Sequence, residues 1–241
     1  MDIQNKVVII TGASEGIGEA TAKLFASQGA QVVLVARSAD KLNAVKDAIV
    51  ASGGTAIAIP TDMRHQESVK AMVEQAKQHF GRVDILINNA GQSVYASVEH
   101  ISVAQYQQIV ELNLFGVLHA MQAVIPIMRA QGGGVIINIS SNVSKMAIPN
   151  IGAYASTKYA LNGLTLTARA ELAADNIRVC LMHPGLTATD FGKNALVSHP
   201  DGRPTMPPGS RTGMPTPDSV EMVAAKILET AQNESAEQSM R

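Results

Sequence analysis

Tyr154-Ala155-Ser156-Thr157-Lys158 sets a phenol and an ammonium four residues apart. At that spacing both side chains lie on one face of a helix. Such a pair suits acid–base chemistry. A tyrosine of pKa about 10 must fall about three units to act as a base near neutrality, which takes about 4 kcal/mol. One ammonium about 4 Å away supplies roughly that amount at an effective dielectric of about 20. A second group is Thr11-Gly12-Ala13-Ser14-Glu15-Gly16-Ile17-Gly18. Its glycines let backbone approach a pyrophosphate, and the helix that opens there offers free N–H groups and a positive dipole end. The same turn would also serve as a tight strand–helix connection with no ligand.

These residues need elements to hold them. Short apolar runs, Lys6–Thr11, Gln31–Ala36, Thr55–Ile59, Asp84–Ile87, Gly134–Ser140 and Ile177–Met182, predict strands. They are continuous rather than alternating, which predicts burial on both faces. Between them Ile17–Gln28, Asp40–Ala51, Glu67–Phe80, Val103–Arg129 and Ile151–Ala174 read as helices. Gly29, Gly53-Gly54 and Gly81 stand where left-handed helix ends need glycine. Pro126 is expected to kink or end the fourth helix early. Strand–helix repetition implies an α/β domain, doubly wound, with a mostly parallel sheet of six to seven strands and helices on both faces. The second strand ends in Ala36-Arg37-Ser38. An acid there would bind both hydroxyls of an adenosine ribose, whereas the guanidinium present suits a 2′-phosphate. A solvated arginine on a loop is the other reading of Arg37, and Glu15 would stand close enough to repel such a phosphate.

After Thr189 the composition changes. Six of the ten prolines fall between Pro200 and Pro217. This stretch follows the carboxyl end of the sixth strand, where open α/β sheets bind ligands. A substrate lid over about 190–217 is the expectation, with a floppy surface connection as the other reading. A last helix, about Pro217–Ala231, and a frayed polar tail, Gln232–Arg241, complete a single domain over 1–241.

Taken in order, these motifs resemble the short-chain dehydrogenase/reductase family. The resemblance spans residues 5 to about 190. It adds Asp62 after the third strand, Asn88-Asn89-Ala90-Gly91 after the fourth and Asn113 in the long helix. It adds Ser140-Ser141 ending the fifth strand and Pro184-Gly185 after the sixth. The resemblance implies a Rossmann-type dinucleotide-binding domain and hydride transfer between a nicotinamide cofactor and a carbonyl/alcohol pair. Tyr154 would be the general acid/base. Lys158 would lower its pKa and bind the nicotinamide ribose. Ser141, which lies at the family's spacing from the tyrosine, would hold the substrate oxygen. The backbone of Asn113 would position a water in the proton relay. Gly12, Ser14, Glu15, Gly16, Ile17 and Gly18 would cradle the cofactor. Asp62, Asn89 and Gly91 would lie along it, Asp62 and Asn89 on the adenosine side. Pro184, Gly185, Thr187 and Thr189 would meet its carboxamide or pyrophosphate end. Arg37 argues for NADP(H) over NAD(H). The resemblance also implies a homo-oligomer, a tetramer or dimer, built on Val103–Arg129 and Ile151–Ala174. No Gly-Gly signature closes the chain, so the family's seventh strand is expected to be very short or missing. The rival function is a nucleotide-binding regulator or scaffold without turnover. A retired enzyme has no need of Asn113, Ser141, Tyr154 and Lys158 together.

Composition narrows the partners. A net charge of −1 gives no basic footprint for nucleic acid or for an anionic membrane surface. Asn113, His119 and Gln122 interrupt the longest apolar run, so no membrane span is expected. No signal peptide is read at the N-terminus, and a single cysteine, Cys180, fits a reducing, cytoplasmic setting. Cys180 is expected to be buried and structural. The six histidines lack ligand spacing, so no catalytic metal is expected.

Overall fold

The computed structural model describes residues 1–197 and 216–240. The lid expected over about 190–217 therefore lies, for 198–215, outside the described residues. Apolar runs form the strands β1 (Val7–Thr11), β2 (Gln31–Ala36), β3 (Thr55–Pro60) and β4 (Ile85–Asn88). The helices α1 (Gly16–Ser27), α2 (Ala39–Ala51) and α3 (Gln66–Phe80) connect them. A two-residue strand, β5 (Val94–Tyr95), precedes α4 (Val103–Val110), a π-helical turn over Glu111–Phe115, and α5 (Gly116–Ala130). Then come β6 (Gly134–Ile139), α6 (Gly152–Glu171), β7 (Ile177–His183), β8 (Leu196–Val197), α7 (Val220–Asn233) and β9 (Glu237–Ser239).

The main sheet has seven strands in the order β3-β2-β1-β4-β6-β7-β9. All of its pairings are parallel. Both faces are covered, because alternate residues of each strand feed opposite cores. Val8 and Ile10 of β1 pack with Phe25 of α1 and Ile227 of α7, on the side that also takes Leu42 of α2. Val7 and Ile9 pack on the other side with Val73 of α3, Val124 of α5 and Leu161 of α6. Strand order reverses direction at β1 and β4, which opens a crevice at their carboxyl ends. Gly29, Gly53 and Gly81 hold the left-handed conformation that ends α1, α2 and α3.

Three expectations need correction. Pro126 does not end its helix, which runs on to Ala130. Proline removes the bond to the carbonyl of Gln122, but both residues are exposed, so water can satisfy that carbonyl. The break from α-geometry comes earlier, in the turn that contains Asn113. The tail does not fray throughout: Glu237–Ser239 pairs with Leu181–His183 as the edge strand, three residues long. The last helix begins at Val220 rather than Pro217, because Ser219 caps it and accepts from the Met222 N–H at 3.2 Å.

The run Val103–Ala130 is long and apolar enough to cross a membrane by length and composition alone. Core helices pass the same test, and α5 buries Val117, Ala120, Met121, Val124 and Met128 against the sheet.

Candidate active site

The glycine turn sits where β1 and β4 part. Gly12 and Gly16 have φ of +67° and +60°, which side-chain-bearing residues rarely adopt. A Cβ on Gly18 would stand 2.1 Å from the Gly12 carbonyl oxygen, so only glycine closes this turn. Asn89 staples it from β4: its Nδ2 donates to the carbonyls of Thr11 at 3.0 Å and Gly12 at 3.2 Å. The Asn89 amide is thus spent on the turn, beside the adenosine contact expected of it.

Glu15 precedes α1, but its side chain does not bond back to the helix. It reaches Lys41 Nζ at 2.5 Å and accepts from Asn194 Nδ2 at 2.9 Å. The first turn of α1 is left without a side-chain cap, which fits an anion at its N–H groups. Ser14 lies in the connecting turn, and Ile17 accepts the Thr21 hydroxyl at 2.7 Å. Thr189 approaches the same turn, 3.3 Å from where a Gly16 Cβ would lie. Thr187 pairs with Asp218, and Pro184-Gly185 lead from β7 into this segment. The glycine turn and the segment after β7 therefore face each other.

Arg37 is exposed at the end of β2. Asp62 follows β3, where Arg64 from its own turn grips both carboxylate oxygens. That grip holds the Asp62 carboxyl down at about 2.

On the far side of the crevice α6 buries Tyr154 and Lys158 one turn apart. Lys158 Nζ donates to the Ile139 carbonyl at 2.9 Å and stands 5.8 Å from the centre of the Tyr154 ring. Burial lowers the Lys158 pKa to about 8. Burial also pushes Tyr154 up to about 12, against a hydrogen bond with Ser141 that pulls it down. The sequence argument put an ammonium close enough to depress the phenol. In this geometry desolvation of the phenol is the largest cause, and it outweighs the Ser141 hydrogen bond.

Ser141 and Ser140 part company. Ser140 is buried and donates to Asn162 Oδ1 at 2.6 Å, whereas Ser141 meets the Tyr154 hydroxyl. Asn113 is fully buried. Its Oδ1 accepts from the Gln92 N–H and its Nδ2 donates to the Gln92 carbonyl, both at 2.9 Å. It also donates to Thr157 at 3.1 Å, so the π turn is locked to α6. Gly91 stands between Asn113 and Lys158, 3.3 Å and 3.8 Å from where its Cβ would be.

Sequence reasoning missed four residues here. Phe191 packs its ring 5.8 Å from that of Tyr154. Tyr95 lies close enough to disfavour the Tyr154 phenolate. Gln92 donates to the Asn194 carbonyl at 3.2 Å, which ties the segment after β7 to Asn113. Lys41 stands beside the glycine turn through Glu15. Tyr95 ends a two-residue strand and Phe191 lies in a single 3-10 turn, both too short to show a period. Cys180 is buried and pushed up to about 11, as suits a structural thiol. Among the described residues no cluster of three or more His, Cys, Asp or Glu side chains is placed to hold a metal.

The chain is similar to known proteins in sequence and fold. The family model for short chain dehydrogenases matches residues 6–198. A 3α-hydroxysteroid dehydrogenase of Mediterraneibacter gnavus is 41% identical over 198 residues, 79% of this chain and 77% of that one. A 7α-hydroxysteroid dehydrogenase solved with NADH and 7-oxo glycochenodeoxycholic acid superposes with a TM-score of 0.88 at 32% identity, over 99% of this chain and 93% of that one. An alcohol dehydrogenase of Thermococcus sibiricus solved with 5-hydroxy-NADP gives 0.84 at 28%, over 99% and 97%. Both nicotinamide cofactors thus occur among the similar structures. Fold, motif order and sequence converge on one assignment, and the chain belongs to the short-chain dehydrogenase/reductase family of nicotinamide-dependent oxidoreductases.

Proposed function

We propose that the protein is an NADP(H)-dependent reductase of a small-molecule carbonyl, with Tyr154 as the proton donor. The observation that carries this is the meeting of Ser141 and Tyr154 beside buried Lys158, at the carboxyl end of the sheet. When bound, the nicotinamide supplies the hydride. The substrate oxygen sits between the hydroxyls of Ser141 and Tyr154. As negative charge grows on that oxygen, Tyr154 gives up its proton. A phenol at about 12 keeps its proton at neutral pH, and an alkoxide is more basic still (water itself has a pKa of about 15.7), so the transfer runs downhill. Lys158 supplies positive charge nearby and would bind the nicotinamide ribose. Asn113 holds the bend of its helix and, with its backbone, a water that replenishes the proton.

Arg37 supports NADP(H), since β2 ends with no acid and with an exposed guanidinium. Lys41 adds to this, because it pairs with Glu15, which would otherwise repel a 2′-phosphate. A homo-oligomer built on α4–α5 and α6 completes the reading. The test is oxidation of NADPH and of NADH with a panel of ketones, aldehydes, diketones and a steroid ketone, the last because two similar proteins act on hydroxysteroids by name. Turnover with NADPH at higher kcat/KM than with NADH supports the reading; a preference for NADH overturns the cofactor choice, and no turnover of any carbonyl overturns the activity.

A further inference from the structure

His183 is completely buried at the end of β7, although the proposed chemistry does not use it. Its two nitrogens face two different parts of the molecule. Nδ1 lies 3.3 Å from the carbonyl oxygen of Ser141 and 3.4 Å from the hydroxyl of Ser144. Nε2 lies 3.1 Å from Glu237 Oε1, close but not aligned as a hydrogen bond. The same Glu237 oxygen is 2.5 Å from Lys145 Nζ. Glu237 opens β9, while Ser141 and Lys145 are the two ends of one short turn, Asn142–Lys145 capped by Ser141.

The edge strand therefore grips the serine turn from three directions. Glu237 holds it through Lys145 and lies against His183, and Asn142 Nδ2 donates to the Met240 carbonyl at 3.2 Å. The Met240 N–H in turn donates to the His183 carbonyl at 3.0 Å. A buried imidazole is expensive without partners, and an aliphatic side chain would fill the same space. Its position between carboxylate and serine turn is what a histidine adds.

We propose that β9, acting through Glu237 and His183, is a positioning device for Ser141 that fixes the turn presenting the serine hydroxyl to Tyr154. This rests on the reading of Ser141 and Tyr154 given above. Glu237 and His183 touch neither substrate nor cofactor; they act through the serine.

The test compares Glu237→Ala, Glu237→Gln, Ser141→Ala and the double variant Ser141→Ala/Glu237→Ala in the full chain. One readout is the ¹³Cζ resonance of Tyr154 in tyrosine-labelled protein without substrate, assigned with Tyr154→Phe. The other is kcat and KM for the carbonyl of the panel that is turned over best. Glu237→Ala should move the Tyr154 resonance in the same direction as Ser141→Ala does. It should lower kcat about tenfold while KM stays within about twofold. Glu237→Gln, which keeps an acceptor for Lys145 and the same bulk beside His183, should restore most of both. In the Ser141→Ala background Glu237→Ala should add nothing further. An unmoved Tyr154 resonance overturns the proposal, as does a kcat loss that persists undiminished without the serine. If Ser141→Ala alone leaves kcat unchanged, the catalytic reading of Ser141 fails. The resonance still reports then whether β9 positions the turn.

Discussion

At neutral pH Tyr154 holds its proton and Lys158 is strained in its charge, both because α6 buries them. Each shift has a sign in stability. Lysine titrates at 10.5 when solvated and at about 8 here. Below pH 8 both states are charged and the folded state carries the full penalty. Between 8 and 10.5 the folded state releases its proton first, so stability rises with pH. For Tyr154 the folded pKa of about 12 lies above 10.0, so stability falls as pH rises from 10 to 12. Lys158→Met should therefore raise cofactor-free stability at neutral pH, by about 3 kcal/mol at most. It should also flatten the rise between pH 8 and 10.5, in denaturant titrations, while abolishing turnover. A parent with a flat profile over that range would count against the buried, depressed lysine. At the other end of the crevice, Arg37→Ala should lower kcat/KM for NADPH by about 10-fold or more and leave that for NADH within about twofold. Equal losses with both cofactors would remove Arg37 from 2′-phosphate recognition.

Among elements, the glycine turn tolerates the least change. Gly18→Ala places a methyl 2.1 Å from a backbone oxygen that cannot move without breaking the turn. It should abolish cofactor binding in fluorescence titration and lower the thermal midpoint. Normal binding would mean that the turn has slack. This turn was legible in the sequence because closely spaced glycines follow an apolar run and open a helix, a tight strand–helix connection whether or not a ligand sits on it. So was the face shared by Tyr154 and Lys158, which follows from helical period alone. The bend at Asn113 was not legible as geometry, because a π turn disturbs a helical pattern by a single residue and Glu111–Phe115 reads as ordinary helix. The strands β5 and β8 have two residues each, too few to show a period. The edge strand Glu237-Gln238-Ser239 is polar and looks like a frayed end. Its backbone pairs with one neighbour only, and its carboxylate is held by Lys145, so it needs no apolar face. Tyr95 and Phe191 reach Tyr154 from a two-residue strand and a single 3-10 turn, which sequence patterning does not place.

For the whole molecule, the fold leaves apolar side chains on the helices named for assembly. Val103 is 72% exposed, Phe115 46% and Leu166 46%. We expect light scattering at micromolar concentration to give two or four times 25.3 kDa. A particle of 25.3 kDa would contradict the assembly. The account as a whole stands on one proton. Tyr154→Phe keeps the ring, its packing against Phe191 and the helix that carries it, and removes only the titrating hydroxyl. The decisive measurement is kcat of Tyr154→Phe for the best carbonyl of the panel, together with cofactor affinity by fluorescence titration. The account predicts a loss of about 10²–10⁴-fold in kcat with cofactor affinity nearly unchanged. Turnover within about threefold of the parent would contradict it, because the proton would then come from another group.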